Sequence, residues 1–196
     1  MLNNKKMRKL KLQTQVSLDS FMGGPNGEMD WLVWNWDDEL KNYVIQLTDP
    51  VDCILLGRNL AEGFIPTWAA RAADPETADA GAHKFNTTPK VVFSRTLQTS
   101  QWENTRLATG DLVEEVMQLK NQPGGDLIAY GGSDFVSDLI KHRLIDDYHL
   151  FINPVVLGNG MSLFQEVEQK LNLKLVKASP FSCGIIVLHY QPEDGK

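Results

Sequence analysis

The chain has little cysteine: two residues in 196, Cys53 and Cys183, each set in an apolar stretch. That scarcity excludes a disulfide-stapled scaffold and predicts buried thiols in a reducing compartment. The four histidines, His83, His142, His149 and His189, fall into no ligand spacing, so no metal site is expected. No apolar run is long enough to span a membrane. The basic start MLNNKKMRK leads into alternation rather than the apolar core of a signal peptide, so a cytoplasmic protein is expected. Positive charge is also short, with 19 Lys and Arg against 25 Asp and Glu, a net charge of −6 and a pI near 5.2. Nucleic acids and anionic membranes require clustered positive charge, and neither is expected as a partner. Catalytic signatures are missing too: no Gly-x-Ser-x-Gly elbow, no Cys-His pairing, no Gly-Lys-Ser/Thr triplet and no three-glycine dinucleotide fingerprint. A chain without a nucleophile suits chemistry in which a cofactor performs the hard step and the protein positions and desolvates.

What is present is organised around Asp126 to His142, DLIAYGGSDFVSDLIKH. Leu127 to Tyr130 is a short apolar run of the kind found in strands covered on both faces. Gly131-Gly132 stops it, Ser133 is placed as an N-cap, and Phe135, Val136, Leu139 and Ile140 recur at helical spacing. A strand, Gly-Gly turn and helix in that order leave free N–H groups at a sheet's carboxyl edge, where a phosphate can bind. Tight turns of this kind also arise for steric reasons alone.

At 196 residues one domain is expected, over 9–192, after a tail at 1–8. Leu10 to Leu18 alternates with the period of a strand. Ser17 to Leu32, SLDSFMGGPNGEMDWL, has Gly or Pro at four of sixteen positions, interleaved with Phe21, Met22, Met29, Trp31 and Leu32. A loop this apolar either packs over the core or closes over a ligand, and Gly23-Gly24 favours a lid. Asp37 is placed as the cap of a helix through Leu40, Tyr43, Val44 and Leu47, ended by Asp49-Pro50. Cys53 to Gly57 is a buried strand followed by Arg58. Phe64 to Pro89 reads as a peripheral excursion, with Asp74-Pro75 opening one short helix. Lys90 to Arg95 is a third strand and Leu107 belongs to a fourth. Asp111 and Glu114 form a capping box. Tyr148 to Val156 is a strand, and LNLKLVKA and GIIVLHY make an antiparallel hairpin. The layout is α/β, with parallel pairs at the centre and antiparallel ones at the C-terminal edge.

Three strand ends therefore carry phosphate-compatible residues: Gly57-Arg58, Ser94-Arg95 and Gly131-Gly132-Ser133. In an open α/β sheet such ends share one edge, and two arginines near a hydroxyl suit the 2′-phosphate of NADPH. The alternative is that Arg58 and Arg95 are ordinary surface residues. Asp19 and Asp30, at the two ends of the apolar loop, are the acids placed for catalysis, unless they cap turns or helices.

Taken together, SLDSFMGGPNGEMDWL, LLGRNLAE, PKVVFSRTL, DLIAYGGSDFVSDLI and PVVLGNGMSLF resemble the dihydrofolate reductase superfamily. In particular they resemble the C-terminal reductase domain of the riboflavin-biosynthesis deaminase-reductase and its stand-alone relatives. The likeness runs roughly from Lys9 to Tyr190. It implies a mostly parallel sheet flanked by helices and an NADPH-dependent reductase. Gly57 and Arg58 would hold cofactor phosphates, and Ser94 and Arg95 the 2′-phosphate end. Gly131, Gly132, Ser133 and Asp134 would meet the pyrophosphate, and Gly23 and Gly24 would lie in the loop over the nicotinamide. It also implies a homodimer through the C-terminal strands and a small-molecule substrate, 5-amino-6-(5-phosphoribosylamino)uracil. Dihydrofolate, or a binding module without turnover, are the alternatives. The sequence departs from the pattern in four ways. The zinc-binding deaminase half is absent, Ser20 stands where such loops often have glycine, no Trp-x-x-Pro-x-Asp motif opens the first helix, and 86–90 contains no arginine for a folate glutamate, with Lys90 as a partial substitute.

Overall fold

The computed structural model describes residues 7–193, so most of the expected tail lies outside the described residues. Thirteen elements follow in order: β1 (Leu10–Val16), α1 (Asp38–Thr48), β2 (Val51–Gly57), α2 (Arg58–Ala73), α3 (Ala80–Thr87), β3 (Lys90–Phe93), β4 (Thr105–Ala108), α4 (Leu112–Asn121), β5 (Asp126–Ala129), α5 (Ser133–Lys141), β6 (Asp147–Ile152), β7 (Leu173–Pro180) and β8 (Ile186–Pro192). The eight strands form one sheet in the order β4-β3-β2-β5-β1-β6-β8-β7. From β4 to β6 every neighbouring pair is parallel; β8 then runs antiparallel to β6, and β7 antiparallel to β8. This is the α/β sheet with an antiparallel C-terminal hairpin that the sequence predicts.

Helices cover both faces, so β2 and β5 at the centre are apolar on both sides, whereas β1 and β6 carry the polar residues Lys11, Gln13, Gln15, Asp147 and His149 on the α1 side. Leu10, Leu12, Leu55, Leu127, Ala129 and Tyr148 pack with α4 and α5 on one face. Ile54, Leu56, Val92, Ile128, Phe151 and Val187 pack with α1, α2 and α3 on the other. Asp37, Asp79 and Asp111 cap α1, α3 and α4, each accepting from backbone N–H groups of the first turn. No helix among the described residues is long and apolar enough to cross a membrane.

Several sequence expectations need correction. Phe64 to Pro89 holds two helices instead of one, and Asp74 ends α2 instead of opening a helix. Sequence patterning misses α2 because its apolar residues are spread around the cylinder and Pro66 sits inside it. What holds α2 is tertiary: Phe64, Trp68, Phe85 and Tyr130 form one aromatic cluster with ring centroids 4.4 to 5.9 Å apart. β3 stops at Phe93, leaving Ser94 and Arg95 beyond it, and β6 spans Asp147–Ile152 rather than Tyr148 to Val156. Cys53 is buried, but Cys183 is only partly so. Asp30-Trp31 is a turn, and Leu32 to Asp37 is not helical, so Asp30 caps no helix.

Candidate active site

Parallel register brings the expected strand ends to one edge. Gly57 pairs with Phe93 and Leu55 with Ala129, so Arg58, Ser94 and Gly131 leave the sheet at nearly one level. Two helices begin there, α2 directly after β2 and α5 directly after β5. Unlike the three Asp-capped helices, both have a glycine at the cap, Gly57 and Gly132, and no side-chain cap hydrogen bond. Ser133 is thus the first residue of α5 and not its cap; its hydroxyl lies 3.5 Å from the Met161 sulfur. The backbone N–H groups of Ser133, Asp134 and Phe135 find no acceptor among the described residues, and the next, Val136, bonds Gly132 O. Two neighbouring helix N-termini with unsatisfied N–H groups make a ready anion site.

Glycine is required here by close approach. A Cβ on Gly57 would lie 2.7 Å from Phe135 Cβ, so a side chain there would push α5 off β2. Gly132 has φ 64°, in the left-handed region, and a Cβ on it would lie 4.0 Å from Gly57 Cα. The Gly-Gly turn therefore has a backbone reason in the positive φ of Gly132, and it is the missing side chain of Gly57 that lets the two helix starts come together.

The other expected residues divide. Ser94 is buried, and its Oγ accepts from Leu97 N at 2.9 Å and Thr96 N at 3.2 Å, which makes it a turn builder. Arg58 is partly exposed and pairs with Glu62 at 3.0 Å. Arg95 is exposed, with no hydrogen-bond or ion-pair partner among the described residues. Asp134 keeps its side chain in solvent, 3.4 Å from the Gln165 amide, so the backbone rather than the carboxylate faces the anion site. Lys90 cannot serve a folate glutamate: it is 3 % exposed and its ammonium donates to Asn86 O and Thr88 O.

The apolar loop over this edge is sewn down along its first half. Met22 N bonds Met161 O at 2.8 Å, Met161 N bonds Gly23 O at 2.9 Å, and Leu163 N bonds Ser20 O at 3.0 Å. Asp19 is the peg of this seam, accepting from Ser17 Oγ, Gly158 N and Leu157 N at 2.7 to 3.1 Å. Those bonds, Ser17 first, hold its carboxyl down to about 2. Gly24 N bonds Glu28 O and closes a turn, and a Cβ on Gly24 would meet the Glu28 carboxylate. Asp30 lies exposed beyond that turn, in the tip formed by 25–30.

Sequence reasoning passed over Gln13 and Gln15, which lie on the α1 side of β1, and Asn153 at the end of β6. Asn153 is fully buried; its Nδ2 donates to Gln15 Oε1 at 2.8 Å and its Oδ1 accepts from Val33 N at 3.0 Å. The signal was available: alternation is unusual in a strand destined for the centre of a two-sided sheet.

Comparison with known proteins agrees with this architecture. The model of the RibD C-terminal domain family matches residues 8–187. An uncharacterized protein, YyaP, of Bacillus subtilis (strain 168) is 37% identical over 194 residues, covering 97% of this chain and 98% of that one. A putative riboflavin biosynthesis protein from Shewanella sp. PV-4 superposes with a TM-score of 0.71 at 22% identity, covering 95% of this chain and 99% of the other. Dihydrofolate reductase from Enterococcus faecalis, solved in complex with NADP(H), gives a TM-score of 0.63 at 18% identity, covering 95% and 97%. The chain belongs to the RibD C-terminal domain family, built on the fold of the dihydrofolate reductases.

Proposed function

We propose that the protein is an NADPH-dependent reductase of a pyrimidine- or pteridine-like small molecule, nearest in activity to 5-amino-6-(5-phosphoribosylamino)uracil reduction in riboflavin synthesis. The observation that carries the reading is the pair of uncapped helix N-termini, α2 and α5, side by side at the carboxyl edge of the sheet. Such a surface would suit a dinucleotide. The N–H groups of α5 would take the pyrophosphate, and Arg58 the neighbouring phosphate charge. Arg95, without a partner among the described residues, would meet the 2′-phosphate, with Ser94 holding the turn that presents it. When bound, the reduced nicotinamide supplies a hydride to an electrophilic carbon of the substrate. Phe21, Met22 and the seam from Gly23 to Met161 would exclude water from it, and Asp30 would orient the substrate or relay a proton. The buried Lys90 favours a pyrimidine over dihydrofolate as substrate. The exposed edge strand β7, with Leu175 and Val176 about half exposed, would carry a homodimer.

Titration with both nucleotides tests the cofactor. Arg95→Ala should weaken NADPH tenfold or more, roughly 1.5–3 kcal/mol for a charge-assisted contact, while NADH is unchanged. Equal wild-type affinity for NADPH and NADH would sink the proposal. Oxidation of NADPH is then followed with aminopyrimidine ribosides, dihydrofolate and small carbonyls. Tight NADPH binding without turnover across that panel would mark a binding module instead.

A further inference from the structure

Away from the cofactor edge, Asp147, His149 and His189 form a cluster of metal-ligand side chains. One ring nitrogen of each histidine and a carboxylate oxygen of Asp147 lie within 4.8 Å of one another. No spacing in the sequence joins these residues; strand register does. Asp147 and His149 stand two apart on β6 and so share a face, the one on which Tyr43 of α1 bonds His149. His149 and His189 are direct partners across the antiparallel β6 and β8 pair, which sets their Cβ atoms about 5 Å apart. Asp147 and His149 are buried, and the His189 side chain, 20 % exposed, is the way in. Because Asp147 opens β6, the cluster lies toward the end of the parallel sheet opposite to Gly57 and Gly131.

We propose that Asp147, His149 and His189 bind a divalent transition-metal ion of the Zn2+ type, which ties β8 to β6. Two imidazoles and a carboxylate, with no thiolate, suit Zn2+, Co2+ or Ni2+ and not Mg2+ or Ca2+, whose shells are oxygen. Outer partners of the kind that orient metal ligands are already in place. The Tyr43 hydroxyl lies 2.7 Å from His149 Nδ1, which leaves Nε2 of that ring for the ion. Lys9 holds Asp147 Oδ2 at 2.9 Å, which leaves Oδ1. That oxygen now accepts from His189 Nε2 and Gln191 Nε2, each at 2.7 Å. The ion takes the place of the proton between His189 and Asp147; that proton passes to Nδ1 of the same ring, and the Gln191 amide turns aside. The two imidazoles stack with centroids 4.2 Å apart, and stacked rings aim their lone pairs in parallel. His189, the accessible one, therefore has to turn. The movement is small: a tetrahedral shell with bonds of about 2.1 Å sets its ligand atoms about 3.4 Å apart. Three protein ligands leave the fourth position to water.

The test uses the whole protein, cleared of metal with a chelator and then titrated with Zn2+ by calorimetry and with Co2+ by visible absorption. Zn2+ should bind at one ion per chain with a micromolar or lower Kd and raise the melting temperature, whereas Mg2+ and Ca2+ do neither. Co2+ should develop the visible bands of a four- or five-coordinate site. His189→Gln keeps a donor for Asp147 and lacks the imidazole, so it should fold, weaken Zn2+ at least tenfold and lose the Co2+ bands. If it does not fold, Asp147→Asn carries the same expectation. His83 and His142 are exposed, and replacing both with Ala should leave Zn2+ binding as in wild type. No binding of Zn2+ at micromolar concentration, unchanged affinity in the folded ligand variant, or loss of binding in the His83→Ala, His142→Ala protein overturns the inference.

Discussion

Acidification from pH 7 to 5 should destabilise this protein through one buried imidazole. His149 lies mid-strand in β6, 6 % exposed, with the Tyr43 hydroxyl 2.7 Å from its Nδ1. Its ring stacks on that of its cross-strand partner His189 at 4.2 Å, and His189 bonds Asp147 at 2.7 Å. Burial first, then His189, Lys11 and Lys9, against the opposing pull of Asp147, push the His149 pKa down to about 3 from 6.5. Below pH 6.5 the unfolded chain takes up a proton that the folded one refuses. The stability that the neutral ring contributes is complete above about 6.5 and erodes as pH falls toward 3. At about 1.4 kcal/mol per pH unit for one proton, the loss by pH 5 is about 2 kcal/mol. Asp147 adds nothing in this window. Burial alone would raise its carboxyl, but Gln191, Lys9 and His189 hold it to about 2, so its contribution is lost only between about pH 4 and 2. Urea unfolding at pH 7, 6 and 5 should be compared with His149→Asn, which keeps an acceptor for Tyr43 and cannot titrate. The variant should be weaker at pH 7 and lose about 2 kcal/mol less between 7 and 5, the other histidines cancelling in the comparison. Equal pH slopes in the two proteins would refute the reasoning.

Asp30→Asn should leave the melting temperature and NADPH affinity unchanged, since Asp30 bonds nothing among the described residues, yet lower turnover tenfold or more. Wild-type turnover across pH would reduce the loop to a cover. Ser20 has φ 68°, so Ser20→Gly should relieve about 1 kcal/mol of left-handed strain and raise the melting temperature by a few degrees, whereas Ser20→Ala should not. Light scattering should find a wild-type dimer that Leu175→Lys on β7 converts to monomer; a wild-type mass of 22.0 kDa, that of one chain, would end that assignment.

What the sequence determined by itself is what is local. Gly131-Gly132 between an apolar run and a helical repeat announced β5, the turn and α5, because glycine is the residue that readily takes the positive φ found there. Asp37 and Asp111 announced α1 and α4 through side chains that bond their own first turns. Ser20 stood out where a glycine was expected, and the backbone there is indeed left-handed. Parallel order followed from the alternation of strands and helices, and with it the single edge shared by Gly57, Ser94 and Gly131. Tertiary structure decided what depends on neighbours distant in the chain. α2 carries no apolar stripe and is held by aromatic contacts from Phe85 of α3 and Tyr130 just after β5, so periodicity could not show it. His149 and His189 have no ligand spacing in sequence, yet antiparallel register stacks them. Gln13 and Gln15 looked like the wet side of an alternating strand until β1 proved to lie between β5 and β6. Their meaning depends on sheet order, because the same alternation is solvated on an edge strand and is a buried, unmatched polar face on a central one.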